Sequence, residues 1–198
     1  MGGMPAVLGR IPAELVLEPA VAVPDRAYGV LLTLLEVRGI AWGAARAGDS
    51  LVVDGVVLRV LHPDTAWSGW GVDLNEDSAV LLVRYGAFEA LLTGDLGIAA
   101  ESLVARQAGA VELLKVGHHG SEGSSGAAFL ASARPGVAVV SVGANRYGHP
   151  APGAIRRLQA AGADVWRTDR EGTVTVHVVD SILLVRGRRG ERRYPIRP

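Results

Sequence analysis

The chain has 198 residues, no cysteine and a formal net charge of +0, with 49% apolar and 20% charged residues. This describes a folded domain with a sizeable core. It excludes disulfides, thiolate zinc sites, cysteine nucleophiles and a chain-wide electrostatic attraction to nucleic acid. No apolar stretch approaches the ~20 residues of a membrane span. The first residues, Met1-Gly2-Gly3-Met4-Pro5, lack the charged-then-apolar pattern of a signal peptide.

Residues 14–17 read as a short strand ahead of Pro19. Residues 27–38 carry Tyr28, Leu31, Leu32, Leu34 and Leu35 at helical spacing, with Asp25 before them and Gly39 after, which predicts an amphipathic helix with a start and a stop signal. Residues 50–53 and 56–61 flank Asp54-Gly55, a strong hairpin signal. Residues 67–74 form a Gly- and Trp-rich loop. Residues 78–85 and 88–92 make a second hairpin around Gly86-Ala87, leading into Thr93-Gly94-Asp95. A helix over 98–107 closes at Gly109, and a buried strand over 111–116 runs into Gly117-His118-His119-Gly120-Ser121. A helix over 127–133, a strand over 137–142 and a helix over 152–161 follow. The last strands are 165–167, 174–179 and 182–185. Hairpins in the first half and strand–helix alternation in the second predict α/β layers around a mixed sheet. The segment 186–198 sets Arg186, Arg188, Arg189, Arg192, Arg193 and Arg197 against one acid, Glu191. It is expected to be a solvated, disordered tail, with a phosphate-contacting arm as the alternative.

Chemistry-bearing residues collect just after predicted strands, where α/β proteins place their sites. His118 and His119 lie in a Gly/Ser-rich loop, and two adjacent imidazoles there are hard to justify by packing alone. Asp95 ends a strand behind a small-residue turn, either as a cap for the next helix or as a ligand. Crossover geometry puts Asp95 beside His118 and His119 on one sheet edge. A carboxylate and imidazoles converging there suit a divalent metal such as zinc or manganese. His149, in Asn145-Arg146-Tyr147-Gly148-His149-Pro150, opens on the same edge, as a site residue or a helix-entry residue. Asn75, Glu76 and Asp77 are loop acids and amides or contribute a ligand. His62 and His177 are expected to be structural. Ser121 has no nucleophile-elbow context, so a serine-hydrolase reading is set aside. Phosphate-loop and dinucleotide fingerprints are absent from the sequence.

From Asn75 onward the sequence resembles the C-terminal metallo-β-lactamase-like domain of ComEC-type DNA-uptake proteins. The resemblance rests on Asn75-Glu76-Asp77-Ser78, Leu91-Leu92-Thr93-Gly94-Asp95, Lys115-Val116-Gly117-His118-His119-Gly120-Ser121, Asn145-Arg146-Tyr147-Gly148-His149-Pro150 and Thr168-Asp169-Arg170-Glu171-Gly172. It implies an αβ/βα sandwich over 1–185, followed by the Arg-rich tail 186–198. It implies one or two divalent metals, zinc or manganese, and hydrolysis of a phosphodiester in DNA. Asp95 would bridge metals and His118 would ligate one. His119 and His149, grouped with them as catalytic, would contact substrate or support the ligands from behind, and Asn75, Ser121, Asn145 and Tyr147 would contact substrate. The family's main metal motif, His-x-His-x-Asp-His, does not occur in this sequence, and Met1-Gly2-Gly3 resembles the residues just after it. The resemblance therefore implies a domain lacking its N-terminal strands, inactive and weakly metal-binding alone, with exposed apolar surface where those strands pack. Its partners would be the missing segment and the channel portion of a membrane-bound parent, with this domain outside the bilayer and soluble by itself. The alternatives are a non-enzymatic module that binds DNA or a partner, and a soluble hydrolase of a small phosphodiester.

Overall fold

The structure is a computed structural model and describes residues 3–21, 25–64, 67 and 71–198. Its frame is a seven-stranded mixed sheet in the order β3-β4-β5-β6-β7-β8-β9, formed by Ser50–Val53, Val56–His62, Val80–Tyr85, Phe88–Leu92, Leu113–Lys115, Val137–Val140 and Asp164–Arg167. The first four of these strands pair antiparallel and the last four pair parallel, so β6 is antiparallel to β5 and parallel to β7. The β3–β4 turn forms where expected: Asp54 and Gly55 both take positive φ (48° and 81°), as the tightest hairpins require.

Each parallel step needs a crossover, and helices α3 (Ile98–Ala108), α4 (Ala127–Ala133) and α5 (Pro152–Ala160) supply them. Their apolar faces pack on one side of the sheet, where Val104, Phe129, Leu130 and Leu158 meet Leu61, Val80, Leu91, Leu114 and Val140. The opposite side is covered by a second sheet, β10 (Thr175–Val179), β11 (Ile182–Gly187) and β12 (Gly190–Pro195), whose Leu183 and Val185 pack with Trp166, Phe88, Ala90 and Val137. A smaller unit precedes the frame. Helix α1 (Met4–Leu8) leads to strand β1 (Leu15–Glu18), which pairs in parallel with β2 (Ala41–Ala44) through helix α2 (Arg26–Arg38), around Leu8, Val16, Tyr28, Leu31 and Leu35. The α2 signals act as anticipated: the Asp25 carboxylate accepts the Ala27 N–H, and Gly39 ends the helix with φ 63°. Among the described residues no helix is long and apolar enough to cross a membrane.

The mixed α/β class therefore stands, with corrections in detail. The C-terminal segment is not a disordered tail: β12 pairs antiparallel with β11, Ile196 is buried, and the Arg197 guanidinium donates to the Glu112 carboxylate at 2.9 Å. Apolar positions had been hidden among the arginines, because Tyr194 and Ile196 alternate inward while Arg193 and Arg197 reach out. The strands ending near the site are shorter than expected, 113–115 and 137–140, since the residues after them turn into the site loops. The loop expected over 67–74 falls partly on residues 68–70, outside the described residues. Exposed apolar side chains do occur on the outermost strand, where Leu51, Val52 and Val53 face solvent.

Helices α3, α4 and α5 begin at Gly97, Gly126 and Ala151, residues with no side-chain oxygen to satisfy the first N–H groups. A carboxylate from elsewhere does this in each case. Glu76 accepts the Ala100 N–H (3.1 Å), Glu101 accepts those of Ser125 (2.5 Å) and Gly126 (2.8 Å), and Glu122 accepts that of Gly153. A glycine makes room each time: a Cβ on Gly97 would lie 2.2 Å from the Glu76 carboxylate, and one on Gly153 2.0 Å from that of Glu122.

Candidate functional site

The four parallel strands end on one edge, and the loops after β6, β7, β8 and β9 converge there. After β6, Gly94 takes φ 55°, and a Cβ on it would lie 2.9 Å from that of Ser78, so only glycine fits. The turn is fixed from three sides: Thr93 Oγ1 donates to the Lys115 carbonyl (2.8 Å), the Asp95 N–H donates to Ser78 Oγ (3.0 Å), and Lys115 Nζ donates to the Gly94 carbonyl (2.5 Å). The Lys115 ammonium also lies 3.9 Å from Asp95 Oδ1, and its burial pushes its pKa down against the pull of that carboxylate. Asp95 is not the cap of α3, which begins after Gly97.

After β7 the chain makes a single 3₁₀ turn over Gly117–Gly120. Gly117 admits the close approach, since a Cβ there would sit 2.7 Å from the Leu96 carbonyl. His118 and His119 both adopt left-handed backbone (φ 46° and 53°), a conformation that costs non-glycine residues and that a packed surrounding must impose. The His118 N–H donates to the Gly94 carbonyl (3.2 Å), and His119 Nδ1–H donates to the Ser141 carbonyl (2.6 Å). Because a carbonyl only accepts, that bond leaves His119 Nε2 facing Asp95 Oδ1 at 3.4 Å.

The loop after β8 is organised by Asn145. Its Oδ1 accepts the N–H groups of Tyr147 and His149 (3.0 Å each), and its Nδ2 donates to the carbonyls of Gly143 and His149 (2.8 Å each). The His149 ring meets that of His118 edge-on, with centroids 5.5 Å apart, and lies nearly parallel to that of Tyr147 (5.9 Å, 22°). Burial lowers the His149 pKa first, and the nearby His118 and His119 lower it further, against Asp95. His149 Nδ1 is buried without a hydrogen-bond partner. After β9, Thr168 Oγ1 bonds to both the N–H and the carbonyl of Val142 (2.7 Å each), tying the β8 and β9 ends together. Gly120 packs on Pro150 and its carbonyl accepts the Ala151 N–H (2.8 Å), which locks the His118–His119 loop to the His149 loop. Between these loops lies a cleft of about 390 Å³, lined among others by His119, Ser141, Asn145, Tyr147, His149 and Thr168.

Asp95, His118, His119 and His149 thus come together, as expected. Ser121 and Asn75, expected at the substrate, take part in turns: Ser121 Oγ accepts the Gly123 N–H, and the Asn75 backbone shapes the bend before Ser78. Glu76 caps α3, and the buried Asp77 holds Trp67 Nε1 and the Gly71 N–H (2.8 Å each). His62 is buried, with Nε2–H donating to the Glu76 carbonyl at 2.8 Å, while His177 is exposed on β10. Sequence reasoning missed Lys115 and Thr168 as supports. One signal for Lys115 was available, since it is the only lysine in a chain whose other cations are arginines.

In sequence the chain is a homologue of ComEC-type competence proteins. It is 35% identical over 140 residues to ComE operon protein 3 of Bacillus subtilis (strain 168), covering 69% of this chain and 18% of that protein. It is 39% identical over 125 residues to competence protein ComA of Neisseria gonorrhoeae, covering 61% and 18%. It is 38% identical over 104 residues to recombination protein 2 of Haemophilus influenzae (strain ATCC 51907 / DSM 11121 / KW20 / Rd), covering 52% and 13%. The chain therefore spans less than a fifth of the length of these relatives. No protein-family profile matches it.

Proposed function

We propose that this chain is the DNA-engaging, extramembrane part of a ComEC-type DNA-uptake protein, and that the cleft beside Asp95, His118, His119 and His149 receives a phosphodiester of DNA. The observation that carries this reading is the convergence of four loops, with His119 and Lys115 beside the Asp95 carboxylate and His149 against His118, in a homologue of competence proteins. An ammonium, and an imidazole carrying its second proton, are donors suited to phosphate oxygens.

The resemblance also brings a divalent metal, zinc or manganese. Asp95 and His118 offer two donors, where catalytic zinc takes three from protein. The His119 Nδ1–H bond to Ser141 orients that ring with Nε2 toward Asp95, yet among the described residues no three His, Asp or Glu side chains form a metal-binding group. These residues do not by themselves fit a metal centre, and no hydrolytic step through one follows from them. We assign metal-dependent hydrolysis of DNA, and the metallo-β-lactamase-like fold that goes with it, to a longer membrane-bound parent in which further donors meet Asp95 and His118.

The test is fluorescence anisotropy of labelled DNA with the full 198-residue chain across a salt series. Binding is expected to weaken with salt, by roughly one log–log unit per phosphate engaged, and His119→Ala with His149→Ala is expected to weaken it at every salt. Binding indifferent to both variants would refute the site, and no binding at low salt would refute the function. Equilibrium dialysis with zinc or manganese is expected to give less than one ion per chain. Stoichiometric retention together with DNA cleavage would show that the site is complete as it stands.

A further inference from the structure

We infer that Tyr147 is a stacking platform for an unpaired nucleobase, so that the cleft takes a strand by one base as well as by its phosphates. This rests on the DNA-binding reading above. Tyr147 is 69% exposed, although it lies in a loop pinned by four hydrogen bonds from one asparagine. One of these holds its own backbone N–H, so the ring is presented by a fixed backbone. The ring stacks on His149, and the Arg146 guanidinium lies 5.5 Å from its centroid.

The stack is at the wall of the cleft, and His149 joins it directly to His118, so a base on Tyr147 would lie beside the phosphate-binding groups. Aromatic rings flanked by a cation are how proteins hold single-stranded nucleic acid: every base has a π-face, and the neighbouring charge takes the backbone. A base paired within a duplex has both faces occupied by its neighbours, so the platform selects strands with at least one free base. The phenol hydroxyl is not needed for stacking, which separates this role from a hydrogen-bonding or proton-transfer role for Tyr147.

The experiment compares two labelled strands of equal length and charge, oligo-dT and an abasic deoxyribose-phosphate strand, by anisotropy against the full chain. The unaltered chain is expected to bind oligo-dT more tightly. Tyr147→Ala is expected to remove that margin, roughly 5- to 150-fold for one stacked base, read as the ratio of the two strands' affinities so that any effect through His149, common to both, cancels. Tyr147→Phe is expected to keep the margin. If both strands bind equally, or if Tyr147→Ala weakens both alike, the platform is refuted while phosphate binding in the cleft stands. If neither strand binds, the DNA reading falls and the platform with it.

Discussion

The carboxylate of Glu101 gives the sharpest test of how the site is held in place. Glu101 is 4% exposed on α3, and its two oxygens accept the N–H groups of Ser125 and Gly126 at the start of α4, directly after the histidine loop. Glu101→Ala leaves both donors unsatisfied in a buried place. Two charge-assisted bonds at about 1.5–3 kcal/mol each set an outer range of about 3–6 kcal/mol. Burial also opposes the ionised form and raises the Glu101 pKa, mostly by desolvation, so part of that range is offset when the charge is removed. A net loss of about 2–3 kcal/mol is expected, roughly 1 M in the urea midpoint followed by circular dichroism. Glu101→Gln retains one acceptor oxygen and turns an amide donor toward the other N–H, so it should fall between the two. The pH dependence supplies a second readout. A carboxyl with a raised folded-state pKa stabilises fully below its ordinary value of 4.5, and that contribution is lost as pH rises through the raised value. Glu101→Gln should lack this component. A Glu101→Ala midpoint within about 0.2 M of the parent would show that α4 does not depend on this carboxylate.

Two glycines that look alike in sequence should behave differently. Gly97→Ala drives a Cβ into the Glu76 carboxylate and to 3.0 Å from the Gly123 carbonyl, and about 1–3 kcal/mol of overpacking is expected in urea melts. Gly153→Ala meets the exposed Glu122 side chain, which can swing away at the expense of its Gly153 and Arg157 bonds, so a smaller loss is expected; equal losses for the two would contradict the contact geometry. His62 tests the acid side. Burial lowers its pKa below 6.5 against the pull of Asp77, Asp64 and Glu76. Its contribution to stability is therefore full above pH 6.5 and declines as pH falls through the lowered value. Midpoints of the parent and His62→Gln from pH 7.5 to 5 should converge on acidification, and a constant difference would count against a buried neutral imidazole.

Much of the frame was legible because apolar period and turn chemistry agreed. Asp54-Gly55, Asp25 with Gly39, and the run ending at Lys115 each carried a local signal strong enough to survive folding. The gathering of Asp95, His118, His119 and His149 followed from strand order alone. What was hidden depended on contacts between segments far apart in the chain. Asn145 resembles a ligand-contacting amide until its four hydrogen bonds are seen to close its own loop. Glu76 and Glu101 resemble loop and surface acids until the bare starts of α3 and α4 are placed beside them. Strand β12 escaped because its arginines outnumber its inward residues, and the Arg189 guanidinium, 3.7 Å above the Trp166 ring, the Tyr194–Asp164 hydrogen bond and the Arg197–Glu112 pair show where that segment docks.

The switch of β6 from an antiparallel to a parallel neighbour has a consequence for how such a protein can change over generations. It divides the sheet into a meander that supplies rigidity and a parallel half whose every strand delivers one loop to a shared rim. These loops are tied to one another, through the Gly94 carbonyl, the Ser141 carbonyl and the Gly120–Ala151 bond, so they can trade exposed residues without moving the strands beneath them but change length only together. Chemistry at the rim can then drift, be lost or be regained piecemeal while the scaffold persists. The loops at 117–121 and 143–150 should therefore be exchangeable between relatives as a pair without rebuilding the core, and not singly.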